Sequence, residues 1–254
     1  MMNEEFVTIE HQNQVAILKL NHGVTNAING DLVHALDSAL MSQAEDPDVL
    51  GMVLTSSNSK FFSIGLDIPN LFALGKKEFR SFYQSFNQMC LGMLTASKPL
   101  VAGITGHAIA GGCILSLCCD YRFISEGHKL IGLNEIKLGV PVPYVADCVL
   151  RKLIGHRLAR DVMDSGGFLE PEEAHRLGMV DRILPVEEVV PQSVEKAREL
   201  SSDSLEAFAL IKSSRVHALQ GEITAQLAER EDAFIKCWFS DDARVRLKEA
   251  ISKY

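Results

Sequence analysis

The chain lacks the residue patterns that mark a metal or redox centre. Its six cysteines, at 90, 113, 118, 119, 148 and 237, include no CxxC pair, and no two histidines stand at HxxxH spacing. The ligand geometry of a zinc site is therefore missing. Cys113, Cys118 and Cys119 stand among apolar neighbours and read as small buried hydrophobes of a reducing compartment. Basic charge is also scarce. The 25 Lys and Arg are outnumbered by 33 Asp and Glu, for a net charge of −8, which argues against nucleic acid as a partner but leaves room for a small anion held by a few local cations. No apolar run approaches the roughly 20 residues that span a bilayer. The opening MMNEEFVTIE carries neither a secretory leader pattern nor an Arg-rich transit peptide. The expectation is a cytosolic protein with no membrane partner.

What is present is an alternating pattern. FVTIE and VAILKLN flank the polar turn HQNQ and predict a hairpin. NGDLVHALDSALMSQAEDP places Leu32, Leu36, Ala39 and Leu40 at helical spacing, with Asn29 or Asp31 as the cap. VLGMVLTSS predicts a buried strand. KKEFRSFYQSFNQMCLGML presents Phe79, Phe82, Tyr83, Phe86 and Met89 on one helical face, and PLVAGITG, DYRFIS and VDRILP predict further strands. PYVADCVLRKLIG, RLARDVMDSG and PEEAHRLG read as helices, and beyond about residue 187 strand signals give way to three helical segments. The fold class is α/β, with the core over 1–187 and a helical region over 188–254. Phe234, Ile235, Trp238 and Phe239 in that region need a surface to cover, on their own domain or on a neighbouring copy.

Three segments offer chemistry. KFFSIGLDIPNL, residues 60–71, follows a buried strand, so Gly65 falls where backbone N–H groups can be left pointing into a cleft; taken alone, the segment reads more simply as a plain turn. Ala110-Gly111-Gly112-Cys113 lies between a strand and a helix, where free N–H groups can donate to a ligand oxygen, or where tight packing tolerates no side chain. It is neither GxxxxGK[ST] nor GxGxxG. In IGLNEIKLGVPVP, Glu135 is the only acid of a largely apolar stretch. Apolar surroundings raise a carboxyl pKa toward neutrality and make a general base; the competing reading is a Glu that caps a turn or pairs with Lys137. Two backbone donors and one carboxylate form a device that holds an oxyanion and moves a proton beside a carbonyl. Ser63 and Ser116 have no GxSxG setting, and His22, His107, His128, His156 and His175 are scattered, so nucleophilic catalysis finds no constellation.

In order and spacing, NAIN (26–29), FFSIGLD (61–67), KPLVAGITGHAIAGGCILSLCCDYRF (98–123), NEIKLGV (134–140) and PEEAHRLGMVDRILP (171–185) resemble the enoyl-CoA hydratase/isomerase, or crotonase, superfamily. The resemblance implies a crotonase-type spiral of ββα units followed by a C-terminal helical trimerisation region, a homotrimer or a hexamer of paired trimers, and a place in fatty acid metabolism (β-oxidation). It implies that an acyl-CoA thioester oxygen is held by the N–H groups of Leu66 and Gly111. Ile64, Gly65, Asp67, Ile68 and Ile114 would then line the substrate, with no metal and no cofactor beyond the coenzyme A of the substrate itself. In the hydratases two glutamates act on one water, and the first directly follows the Gly-Gly-Cys turn. Here that position is Ile114 and only the second glutamate, Glu135, remains. AGGCILSLCCDYRF followed by IGLNEIKLGV is similar to the mitochondrial-type Δ3,Δ2-enoyl-CoA isomerases, which implies a 1,3-proton shift by Glu135 from C2 to C4 of a 3-enoyl-CoA. Lacking the presequence of those enzymes, the chain reads as a bacterial cytosolic relative or a mature matrix form. PVPYVADCVL replaces a glycine-rich segment of the hydratases and brings in Asp147, a helix-surface residue or a second acid. Other crotonase-type reactions (hydration, thioester hydrolysis, decarboxylation) and a non-catalytic acyl-CoA-binding member are the alternatives.

Overall fold

The computed structural model describes residues 5–252. The hairpin forms as expected: β1 (Val7–Gln12) pairs antiparallel with β2 (Val15–Leu20) in the register Val7 opposite Leu20. The helix α1 (Gly30–Glu45) begins at Asn29, whose side chain accepts the N–H of Leu32 at 2.9 Å, so Asn29 rather than Asp31 is the cap. The strand β3 (Gly51–Ser56) follows, then the short β4 (Phe61–Ser63), α2 (Ile68–Phe72) and the long α3 (Lys76–Thr95). Next come β5 (Leu100–Ile104), β6 (His107–Ile109) and α4 (Gly111–Leu117). After them stand β7 (Tyr121–Ser125), β8 (Ile131–Gly132) and a single 3₁₀ turn over Glu135–Leu138. The remaining elements are α5 (Tyr144–Ser165), α6 (Pro171–Leu177), β9 (Arg182–Leu184), α7 (Val186–Ser202), α8 (Leu205–Trp238) and α9 (Asp241–Ile251).

The strands fall into two sheets, one of six in the order β1-β2-β3-β5-β7-β9 and one of three in the order β4-β6-β8. After the hairpin every strand-to-strand pairing is parallel, and an isolated antiparallel bridge joins Ile131 to Leu169. Each successive turn of the chain thus gives one strand to the large sheet and one to the small sheet before the next helix, which is a spiral of ββα units. All six residues of β3 are buried, as expected of a parallel strand covered on both faces. The main core lies on one side of the large sheet; a smaller apolar cluster of Val15, Ile17, Val53 and Val101 is closed on the other side by Val194 and Ala197 of α7.

The elements that sequence periodicity did not resolve are the three-residue strands β4 and β6 and the five-residue α2. They are too short to repeat either pattern; β4 and β6 are defined by pairing with each other, and α2 by its Asp67 cap. The break foreseen between two helical segments near Gly155 is present as a non-helical residue, φ +81°, inside α5. Phe234, Ile235 and Trp238 are covered by their own domain, with Trp238 stacked on Phe79 of α3 at 4.4 Å and Phe234 on Tyr83 at 4.1 Å. All six cysteines are free, five of them buried and Cys237 half-buried. Among the described residues no helix is long and apolar enough to cross a membrane.

Candidate active site

The two asparagines of NAIN have separate tasks. Asn29 caps α1, whereas Asn26, fully buried at φ +47°, ties the turn after β2 to β4. Its amide donates to Ser56 Oγ at 2.8 Å and to Phe62 O at 3.0 Å, and its own carbonyl accepts from Ser63 Oγ at 2.7 Å. Ser63 Oγ in turn accepts the N–H of Gly65 at 3.1 Å. Beyond this anchor the chain runs beside Ile28 as a one-residue parallel bridge. Ile28 N–H donates to Gly65 O at 2.7 Å, and Asp67 N–H donates to Ile28 O at 2.9 Å. Backbone alternation then turns the N–H of Leu66 to the opposite side, away from Ile28.

Gly111 opens α4, where the first N–H groups have no intrahelical acceptor. Among the described residues neither Leu66 N–H nor Gly111 N–H meets a protein acceptor. The two turns are pressed together. A Cβ at Gly65, whose φ is +97°, would stand 2.9 Å from Gly111 N and 2.9 Å from the Ala110 Cβ. A Cβ at Gly112 would stand 2.3 Å from Ser63 O, which only glycine avoids. Ala110 holds φ +47° and ψ −113°, a strained conformation for a residue with a side chain, fixed by its N–H donating to Gly132 O at 2.8 Å. The glycines thus satisfy both readings left open at the sequence: they are demanded by close packing, and that packing leaves two N–H donors unpaired side by side.

These donors border a cleft of about 650 Å³. Leu66, Ile64, Ile68, Gly111, Ile114 and Glu135 all line it. Gly65 packs behind the donors. Asp67 is placed elsewhere, its carboxylate accepting the N–H of Asn70 at 3.0 Å as the cap of α2. Glu135 stands at the start of the 3₁₀ turn, 5% exposed, and its Oε2 has no hydrogen-bond partner. Loss of solvent pushes its pKa up to about 7, a hydrogen bond from its own backbone offsetting part of the rise, and among the described residues it forms no ion pair with Lys137. Ile114, 2% exposed, gives the cleft a hydrocarbon wall at that position.

Asp147 does not face this cleft. It lies on the first turn of α5 beside a different cavity and accepts from Arg151 Nε at 3.1 Å. His107 lines the cleft, yet its Nδ1 accepts the N–H of Leu130 at 2.9 Å, and burial first, then Lys129, lowers its pKa, so it serves as a neutral strut between β6 and the loop before β8. Sequence reasoning missed Asn134, Phe86 and Val140 as cleft residues, together with the face that Phe234, Trp238, Arg246 and Ala250 present to it. Phe86 and the four C-terminal residues come from α3, α8 and α9, so no local motif could place them there; the unspent aromatic cluster of 234–239 was the only signal.

A family model described as "Enoyl-CoA hydratase/isomerase" matches residues 10–254. The chain belongs to this family. Among enoyl-CoA hydratase/isomerase proteins it is 28% identical over 256 residues to the crotonyl-CoA hydratase of Syntrophomonas wolfei subsp. wolfei, covering 99% of this chain and 97% of that one. It is 32% identical over 176 residues to the mitochondrial enoyl-CoA delta isomerase 1 of Mus musculus, covering 69% of this chain and 61% of that one. The crystal structure of human mitochondrial Δ3,Δ2-enoyl-CoA isomerase superposes with a TM-score of 0.93 at 26% identity, covering 98% of this chain and 97% of that one. The crotonase-type fold anticipated from the motifs is therefore the fold observed, and hydratases and isomerases both stand among its relatives.

Proposed function

We propose that the protein is an acyl-CoA isomerase that moves the double bond of a 3-enoyl-CoA into conjugation, giving the trans-2-enoyl-CoA. The observation that carries this reading is Glu135, buried with a pKa near 7 in a cleft that Ile114 also lines, while the other carboxylate lining it, Glu249, stands exposed. The thioester oxygen accepts the N–H groups of Leu66 and Gly111. Ionised Glu135 removes a proton from C2, and the electrons flow into the thioester as an enolate whose oxygen the two donors stabilise. The same carboxyl then returns the proton to C4, so the double bond ends between C2 and C3. Preorganised donors suit this step because charge grows on the oxygen only as the proton leaves. A carboxyl poised near pH 7 is a stronger base than an ordinary carboxylate and is still ionised in a useful fraction at neutral pH. Coenzyme A belongs to the substrate, and the mechanism calls on no separate cofactor.

Hydration is the competing reading, because relatives of similar identity are named hydratases. It requires a second group to hold the water; Ile114 has no polar atom, Asp147 lines a different cavity, and Glu249, which does line the cleft, is exposed where Glu135 is buried. A paired assay separates the two. Absorbance from conjugation of 3-hexenoyl-CoA should rise rapidly while crotonyl-CoA loses its band negligibly; efficient loss of the crotonyl-CoA band would overturn the isomerase reading. By family resemblance the protein self-associates through its C-terminal helices as a trimer or paired trimers, which sedimentation of the purified protein tests.

The pH dependence follows from the same carboxyl. Glu135 acts in its ionised form, so kcat/KM rises with pH, reaches half its plateau near the pKa of about 7, and is flat above. A profile already flat from pH 5 upward would remove Glu135 as the titrating base.

A further inference from the structure

Phe234 belongs to the walls of two cavities at once. On one side is the catalytic cleft; on the other is a second cavity of about 420 Å³ bounded by Tyr83, Val142, Tyr144 and Ala233, with the Arg151–Asp147–Glu222 ion-pair cluster on its polar side. The segment 140–144 is shared in the same manner. Val140 and Pro143 face the cleft, while Pro141, Val142 and Tyr144 face the second cavity. The partition is thus one side chain thick at Phe234 and one backbone thick along 140–144.

The wall is stiff. Phe234 is 2% exposed, its ring lies 4.1 Å from that of Tyr83, and the rings of Phe79 and Trp238 are each 6.4 Å away. A ring held in such a stack does not swing aside without displacing its neighbours. Phe86, Ile68 and Trp238 also line the cleft, Trp238 stacked beside Phe234, so an apolar chain growing from the reacting carbons has an apolar lining to follow of which Phe234 is part.

We propose that Phe234 sets the acyl-length limit of the protein, stopping the chain short of the second cavity. The inference rests on the acyl-thioester reading of the cleft and adds the substrate class, short-chain 3-enoyl thioesters. Each further methylene buried is worth up to about fourfold in affinity. A closed wall denies that gain to long chains, and an open one grants it.

The test is calorimetric titration of the wild type, Phe234→Leu and Phe234→Ala with hexanoyl-CoA and dodecanoyl-CoA, alongside turnover of 3-hexenoyl-CoA. The wild type should bind hexanoyl-CoA at least as tightly as dodecanoyl-CoA. Opening the wall should shift the ratio toward dodecanoyl-CoA by about tenfold or more. Phe234→Leu keeps an apolar side chain in the stack and carries the test if Phe234→Ala fails to fold. Adding Val142→Phe to Phe234→Leu refills the second cavity and should restore the limit. A wild type that binds dodecanoyl-CoA much more tightly than hexanoyl-CoA, or a folded Phe234→Leu with the wild-type ratio, overturns the proposal. The expected length ratios without conjugation of 3-hexenoyl-CoA would support the wall and overturn the isomerase reading. Conjugation without any length limit would do the reverse, and failure to bind either thioester would overturn both.

Discussion

Replacement of Glu135 by Gln is expected to lower the rate of 3-hexenoyl-CoA conjugation by about 10³–10⁴-fold, the full contribution of a positioned general base, while hexanoyl-CoA still binds. The reason for so large an effect is that no other buried acid lines the cleft. Ile114 is a hydrocarbon, Asp147 faces another cavity, Glu249 is exposed, and His107 accepts from the backbone through Nδ1. The same substitution should stabilise the protein in alkaline buffer. Glu135 is pushed from an ordinary value of 4.5 to about 7 by burial, so between those two pH values the folded chain binds a proton that the unfolded chain has lost. Stability contributed by this group is full below pH 4.5, declines as pH rises toward 7 and stays at the lower level above. The amount is about 3 kcal/mol. Glutamine does not titrate, so the difference in melting temperature between variant and wild type should widen from pH 5 to pH 8. Identical pH dependence in the two proteins would mean that Glu135 ionises in the fold as it does in water, and an active variant would end its role as the base.

Alanine at Gly65 is expected to reduce kcat by about 10²–10³-fold, the range found when one oxyanion donor is lost, with a smaller change in KM. Two independent costs act there. The backbone sits at φ +97°, which glycine alone adopts freely, and the added methyl would come within 2.9 Å of Gly111 N, the second donor. Relaxing the clash pushes the turn of β4 away from the start of α4 and spoils the shared aim of Leu66 and Gly111. Circular dichroism and a thermal melt distinguish this local loss from unfolding. A well-folded Gly65→Ala protein with wild-type kcat would show that the enolate is not held between these two turns.

Much of the fold was legible because its long elements carry strong periods. The hairpin turn HQNQ, the apolar face of 79–89 and the cap at Asn29 all act through neighbours within a few residues, and all three stand in the structure. The short strands β4 and β6 were not, since three residues hold no period and exist only because each pairs with a strand from another turn of the spiral. Asp67 shows the same division in the site. The resemblance placed it along the substrate; its carboxylate accepts the N–H of Asn70 on the first turn of α2, and it does not line the cleft between its neighbours Leu66 and Ile68.

The sequence by itself determined the chemistry available: one carboxylate at 135, a hydrocarbon at 114, and glycines at 65 and 111 where the backbone must come close. Those are properties of residue type and of local conformation, which travel with the chain. Tertiary structure alone decided that Glu135 loses its solvent, that Asp147 faces a different cavity, and that Phe234 from α8 closes the cleft against Tyr83 from α3. Burial and walls are made by segments far apart in sequence, and their positions follow from packing the whole core at once.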